Sequence, residues 1–378
     1  MDVEVVDRIA NVPAEAWDAC VASWDPFAEH RFLALLEEAG AVGTRQGWQP
    51  CHLVVREAGS VVGAMPLYLK DHSYGEYIFD WGWAAAAERA RIAYYPKLVS
   101  QVPFTPATGR RFLVRDGRVE GPVVDALVGG MRAVGEGIGS SSLHVLFCTA
   151  AEWASVQGRE GFIGRTTHQF HWENDGYASF EQYLGTYRSK DRKKARRERD
   201  KVTELGVDVQ LVRGTAIDDA QWKAIEAFYR DTIARHGGHP YLGRKWFQLA
   251  RERLGDRILA VIASRNGKTV ASSLCLQRGD RLYGRYWGSE PAYGALHFEL
   301  CYHRPIEACI ENGWTRFEAG AQGSHKLKRG LRPHPTYSLH WIRHSGLRAA
   351  IADAMARETE MVERDMALLD EHAPFRKP

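Results

Sequence analysis

The stretch Arg281-Leu282-Tyr283-Gly284-Arg285-Tyr286-Trp287, running on into Gly288-Ser289-Glu290-Pro291, decides the fold. Its aromatic-rich first part suits a half-buried pleated surface. Ser289 as a cap and Pro291 in the first turn then open a helix, which the sequence ends near Asn312-Gly313. Immediately upstream, residues 258–264 and 269–277 are apolar runs joined by Arg265-Asn266-Gly267-Lys268, where Asn-Gly supplies the positive φ angles of a tight hairpin. Farther upstream the periodicity predicts a strand at 207–212 and helices at 219–236 and about 242–255. Downstream it predicts a strand at 315–320.

The first half repeats this order. Strands are expected at 3–6 and 76–81, helices near 14–21 and 27–39, a hairpin from 52–56 to 61–69, a helix at 85–94 and a strand at 97–103. Trp81-Gly82 then matches Trp287-Gly288, and Arg110-Arg111 matches Lys326, Lys328 and Arg329. Two mixed-sheet α/β modules explain the recurrence, with a boundary near 165–175. The expected domains are 1–168 and 169–345, followed by a C-terminal helix over 346–378. A chain of 378 residues also exceeds what one core usually organises.

The order of elements resembles that of the GNAT acyltransferase fold, so the expected class is α/β with two tandem GNAT-like modules. That fold implies two neighbouring strands that splay apart, exposing backbone to an acyl donor. The helix after the first of them offers unpaired N–H groups to phosphate. Gly288, Ser289 and Gly294 stand at that place and are the candidate cofactor-binding residues. They lack the dense glycine run of an acetyl-CoA cradle, so acyl-CoA and aminoacyl-tRNA both stay open as donors.

A net charge of +3 excludes a generally basic nucleic-acid binder, so any anion site must be local. The composition, 45% hydrophobic and 26% charged, excludes disorder. The start Met1-Asp2-Val3-Glu4 lacks the features of a signal peptide, and no run reaches the length of a spanning helix. A cytoplasmic location is the resulting expectation. The six cysteines fall singly among apolar neighbours, and the histidines share no metal-ligand spacing, so no metal is expected.

Two pieces are more specific. Leu296-His297-Phe298-Glu299-Leu300-Cys301-Tyr302, with Phe317-Glu318-Ala319-Gly320-Ala321-Gln322-Gly323-Ser324-His325-Lys326, resembles the FemAB-like family of peptidoglycan biosynthesis or recognition proteins. Tyr95-Pro96-Lys97-Leu98 and Val102-Pro103-Phe104-Thr105-Pro106-Ala107-Thr108-Gly109-Arg110-Arg111 resemble the same family's other signature. The resemblance implies acyl or aminoacyl transfer to an amine on a small anionic, cell-wall-precursor-like acceptor, with charged tRNA as a partner. The alternative is a non-catalytic peptide- or glycopeptide-binding protein that keeps the fold. Within the motif, Pro305 interrupts a predicted helix, removing the N–H partner of the Cys301 carbonyl.

Amine acylation needs a proton acceptor, and Glu299, Glu318 and His297 are the candidates. His297 and Glu299, two apart on a helix, face different ways. Cationic His325, Lys326 and Arg329 suit a substrate carboxylate or phosphate, against the alternative of a solvated turn paired with Glu318. Lys97, Thr105, Thr108, Arg110 and Arg111 are the matching substrate-binding candidates of the first half, with Trp287 and Gln322 completing the second-half set. The run 187–201 holds nine cations against three carboxylates, a net +6 in fifteen residues. Either it is a solvated helix face or it binds tRNA acceptor phosphates or an anionic precursor.

Overall fold

The computed structural model describes residues 1–321 and 323–376. The chain forms two compact units: Met1–His168 with Pro335–Arg364, and Gln169–His334 with the chain from Asp365 onward.

In the first unit, Asp2–Val6, His52–Glu57, Ser60–Met65 and Leu113–Val114 form a four-stranded antiparallel sheet in that order. A second set of strands is built on Ser142–Cys148, which pairs antiparallel with residues 337–342 and parallel with Lys97–Ser100. Leu67–Lys70 lies on the far side of Lys97–Ser100. A parallel pair needs a crossover, and helix Pro122–Gly137 lies within it. Its proline sits in the first turn, and Val124, Leu127, Val128 and Met131 form the buried stripe at helical spacing. These side chains pack with Leu53, Met65, Leu98 and Leu143 in one core.

The second unit orders Asp208–Arg213, Ile258–Arg265, Lys268–Arg278, Arg281–Ser289, Arg316–Glu318 and residues 171–173 into one run. All neighbours are antiparallel except Arg281–Ser289 and Arg316–Glu318, which are parallel. The hairpin turn has Asn266 at φ 50° and Gly267 at φ 77°, as the Asn-Gly pair requires. Helix Asp219–Arg235 starts with a capping box between Asp218 and Gln221.

Four expectations are corrected. Residues 76–80 are loop rather than strand, because Glu76 and Asp80 turn inward to the buried ammonium of Lys97, at 2.9 and 2.5 Å. Trp81 therefore opens the helix Trp81–Arg89, whereas Trp287-Gly288 lies inside a strand, so the two Trp-Gly pairs are not equivalent. Lys97–Ser100 is the first strand of its parallel pair and not, as expected, the partner of 315–320, which is the second. Finally, Ser289 ends a strand and caps nothing; the segment that follows is a 3-10 turn at Pro291–Leu296, π-helical turns at Glu299–His303 and an α-helix at Arg304–Asn312. Pro305 explains the switch, since without an N–H it cannot continue α-type bonding back to Cys301.

Candidate functional site

The ladder between Arg281–Ser289 and Arg316–Glu318 holds for only three residue pairs and ends at Tyr283–Glu318. Beyond that point the strands part. On its other side Arg281–Ser289 carries a bulge, because Leu274 pairs with Tyr286 and Cys275 with Gly284, leaving Arg285 as the extra residue. Bulges bend a strand and re-aim its side chains. The space opened between the strands is a cavity of about 120 Å³, in contact with Gly284, Trp287, His297, Cys301, Tyr302 and Ala319 among others.

The walls are polar and coupled. Tyr302 Oη lies 2.9 Å from His325 Nε2, and the His297 ring is within 6 Å of the rings of Trp287, Tyr302 and His325. Burial and the nearby cations depress His297 to about 4, so it is a neutral imidazole at physiological pH. Burial pushes the Tyr302 phenol up. Arg329 stacks 3.5 Å above Phe298 and is paired with Glu198, which also bonds His303 at 2.9 Å.

Lys326 is the most unusual group. Its side chain is almost fully buried, with 2% of the residue exposed, and its ammonium donates to the Gly320 carbonyl at 2.7 Å. Among the described residues no carboxylate stands within ion-pair distance of it. Burial brings its pKa down to about 8. A buried cation without a counter-ion is costly, so burial raises the share of neutral amine above that of an exposed lysine. Gly323, at φ 117°, sits where a Cβ would lie 2.5 Å from the His325 ring, so the glycine is needed to seat that imidazole.

Glu299 turns from the cavity to Arg199 on the basic helix, at 3.2 Å, and burial raises its carboxyl. Glu318 is buried beside His171 at 3.8 Å. Gly288 is explained by packing, because a Cβ there would lie 2.5 Å from the Phe228 carbonyl oxygen of the neighbouring helix. Gly294 is exposed in the turn, and the Ser289 carbonyl accepts from Arg235 at 3.3 Å. The expected cradle of Gly288, Ser289 and Gly294 is therefore dispersed over a packing contact, a strand end and a surface turn. Gln322 lies outside the described residues.

In the first unit the signature residues point inward. Lys97 is held by Ser73, Glu76 and Asp80. Thr105 bonds the Pro103 carbonyl. Thr108 and Arg110 are half-buried. Arg111, 1% exposed, donates to the carbonyls of Leu146, Ala107 and Arg110 and lies 4.0 Å from Asp25. The three N–H groups of Lys97 are all taken up by its contacts, and the Arg111 guanidinium is turned inward to backbone carbonyls rather than to an open surface. Their charges are compensated internally because buried ions without partners are too costly.

Sequence reasoning did not single out Tyr302. It is five residues from His297, and in an α-helix that spacing separates side chains by about 140°. The π-helical turns bring the two rings to 5.6 Å instead. The available signal was Pro305, which forbids regular α bonding there.

Parted parallel strands behind an antiparallel hairpin, with a polar cavity in the gap, define a mixed α/β protein with a GNAT-like fold over most of the chain. The sequence matches the FemAB-like family, peptidoglycan biosynthesis/recognition, over residues 8–377, and the chain belongs to that family. Among solved structures it is similar to FemX, at a TM-score of 0.56 and 10% identity, covering 93% of this chain and 100% of FemX. It is similar to the C-terminal domain of a putative lysylphosphatidylglycerol synthetase from Agrobacterium fabrum, at 0.53 and 10%, covering 91% and 95%. It is also similar to L-PGS from Bacillus licheniformis, at 0.51 and 11%, covering 91% and 98%. Identities this low speak for the fold alone. No curated protein matches the chain by sequence. No helix among the described residues is long and apolar enough to cross a membrane.

Proposed function

We propose that the protein transfers an acyl or aminoacyl group to an amine, and that the reaction takes place where the parallel strands of the second unit part. The observation that carries this reading is the cavity at the gap, with Tyr302 and His297 on its wall and Lys326 buried beside the same strand end. In such a transfer the amine nitrogen attacks the donor carbonyl carbon and the bond from that carbon to the donor oxygen or sulfur breaks. The nitrogen loses a proton and the leaving atom gains one. Lys326, with a pKa near 8, is suited to take the proton, because about a tenth of its amine is neutral at pH 7, far more than of an exposed lysine. The strand backbone past Tyr283 is free of the parallel ladder on the gap side and can hold the developing oxyanion.

The acceptor proposed is a small anionic, cell-wall-precursor-like amine, in keeping with the family. Each unit carries one parallel strand pair with a helix in its crossover, which supports a tandem duplication of one GNAT-like module. The test is to incubate the purified protein with acyl-CoA pools and, separately, with charged tRNA, in the presence of amine acceptors. Turnover with either supports transfer. Donor binding without turnover favours the peptide- or glycopeptide-binding alternative, and neither binding nor turnover would sink the enzyme reading.

A further inference from the structure

Beside the buried Tyr94, Ile342 and Leu347 of the first unit lies a hollow of about 270 Å³. Ile92, Ala93 and Tyr95 complete its apolar walls, and Ser141, Arg343 and His344 supply polar groups. Packed interiors leave few voids larger than a water molecule. An apolar cavity of about 150 Å³ takes one benzene, so this hollow has room for a body of about ten non-hydrogen atoms. Apolar walls left to water forfeit about 25 cal/mol for each Å² that a covering group would shield.

The polar groups carry one sign. Arg343 Nε donates to the Ser140 carbonyl at 2.6 Å and Nη2 to the Gly135 carbonyl at 2.8 Å. The Arg343 backbone N–H donates to the Ser141 carbonyl at 2.8 Å. These bonds fix an exposed guanidinium at the edge of the hollow. Among the described residues its Nη1 has no hydrogen-bond partner, and no carboxylate stands within ion-pair distance of it. His344 Nδ1 accepts from the Leu347 N–H at 3.2 Å, so the neutral ring carries its proton on Nε2 and offers a second donor. No aspartate or glutamate among the described residues lines the hollow.

A guanidinium already held by its neighbours gives up little freedom on meeting an anion. Its planar fork matches carboxylate and phosphate oxygens. A cationic head would meet like charge at this edge, and a neutral head would leave Arg343 without a counter-charge. The combination of an apolar body and few placed polar groups is that of a small-molecule site.

We infer that this hollow binds a small amphipathic anion, its carboxylate or phosphate head on Arg343 and a short apolar body of about ten non-hydrogen atoms between Ile92, Tyr94 and Leu347. The site is built from first-unit residues alone and stands apart from the transfer reaction, so binding decides it whether or not turnover is found.

The test is isothermal titration calorimetry of the full chain with octanoate, octyl phosphate, octylamine, 1-octanol and acetate. Octanoate should bind saturably with a Kd of about 1 mM or below. Octylamine, 1-octanol and acetate should each bind at least about tenfold more weakly, lacking either the charge or the body. Arg343→Met should weaken octanoate about tenfold and leave 1-octanol unchanged. Ala93→Phe, which puts a ring into the hollow, should weaken both, with thermal unfolding followed to show that each variant is folded. The head-group series on the unaltered chain decides the matter even if a variant does not fold. A preference between octanoate and octyl phosphate identifies the head, and either supports the inference. Three results overturn it: no saturable octanoate binding up to about 10 mM, octylamine or 1-octanol binding as tightly as octanoate, or octanoate affinity unchanged in both folded variants.

Discussion

The gaps beyond the two parallel strand pairs are filled in opposite ways. In the first unit Lys97–Ser100 ends at the level of Val145, and the chain's own segment 107–111 takes the vacated edge. Gly109 N donates to the Phe147 carbonyl at 3.0 Å and Arg111 Nε to the Leu146 carbonyl at 2.8 Å. Glu152 locks the segment from behind, accepting from the backbone N–H groups of Arg111, Phe112 and Thr149 at 2.7 to 2.8 Å. In the second unit the corresponding gap holds a cavity, and Lys326, buried in the turn that follows the strand, donates to one carbonyl. One arrangement thus spends its signature residues on self-occupancy, and the other leaves room for a guest. The lesson is that signature residues can close a strand gap in one half of a chain and leave a cavity in the other.

The largest expected effect probes that contrast directly. Arg111→Ala should cost about 3–5 kcal/mol in urea unfolding, because it strips buried carbonyls of their donor and leaves Asp25 beside a void. A loss below about 1 kcal/mol would mean that the first gap is not held by this side chain. Lys326→Met should change stability by no more than about 1 kcal/mol, trading one hydrogen bond for relief of a desolvated charge. If Lys326 takes the proton, the same variant should slow transfer by about 10²–10⁴-fold. Equal stability losses in the two variants, with transfer intact, would erase the distinction between the gaps.

The sign of the pH dependence sharpens it further. If Lys326 takes the proton, its active form is the free amine, and the single-turnover rate should rise about tenfold per pH unit and level off above about 8, its depressed pKa. In Lys326→Met this inflection should vanish. A smaller effect than that of Arg111→Ala belongs to Gly109→Ala, where the added methyl would come 2.2 Å from Asp25 and 2.7 Å from Arg111. Overpacking of this kind costs about 1–3 kcal/mol, measurable as a lowered Tm, and no shift would show that segment 107–111 yields easily.

Local chemistry made much of the second unit legible. The Asn266-Gly267 turn, the Arg281–Ser289 strand and the break at Pro305 each depend on residues adjacent in sequence. Residues 76–80 were misread because Tyr77-Ile78-Phe79 has the β-rich look of a strand, while the force that holds the loop comes from Lys97. The match of Trp81-Gly82 with Trp287-Gly288 does not hold either, because a Trp-Gly pair carries no information about which strands run parallel. At the site, His297, His325 and Lys326 were visible as types of residue. Their roles were not, since the desolvation of Lys326 and the Tyr302–His325 bond arise only on folding.

The π-helical turns at Glu299–His303 bear on what kinds of change the site can absorb. They set the rotational phase between the cavity wall and the helix Arg304–Asn312, whose Ile306, Cys309 and Ile310 are buried. Replacing a residue there leaves the phase intact, whereas deleting one advances everything on one side by about 100°. Such a deletion would turn either Tyr302 off the cavity or Ile306 off the core, with no setting that satisfies both. In this segment the count of residues is therefore constrained more tightly than their identity.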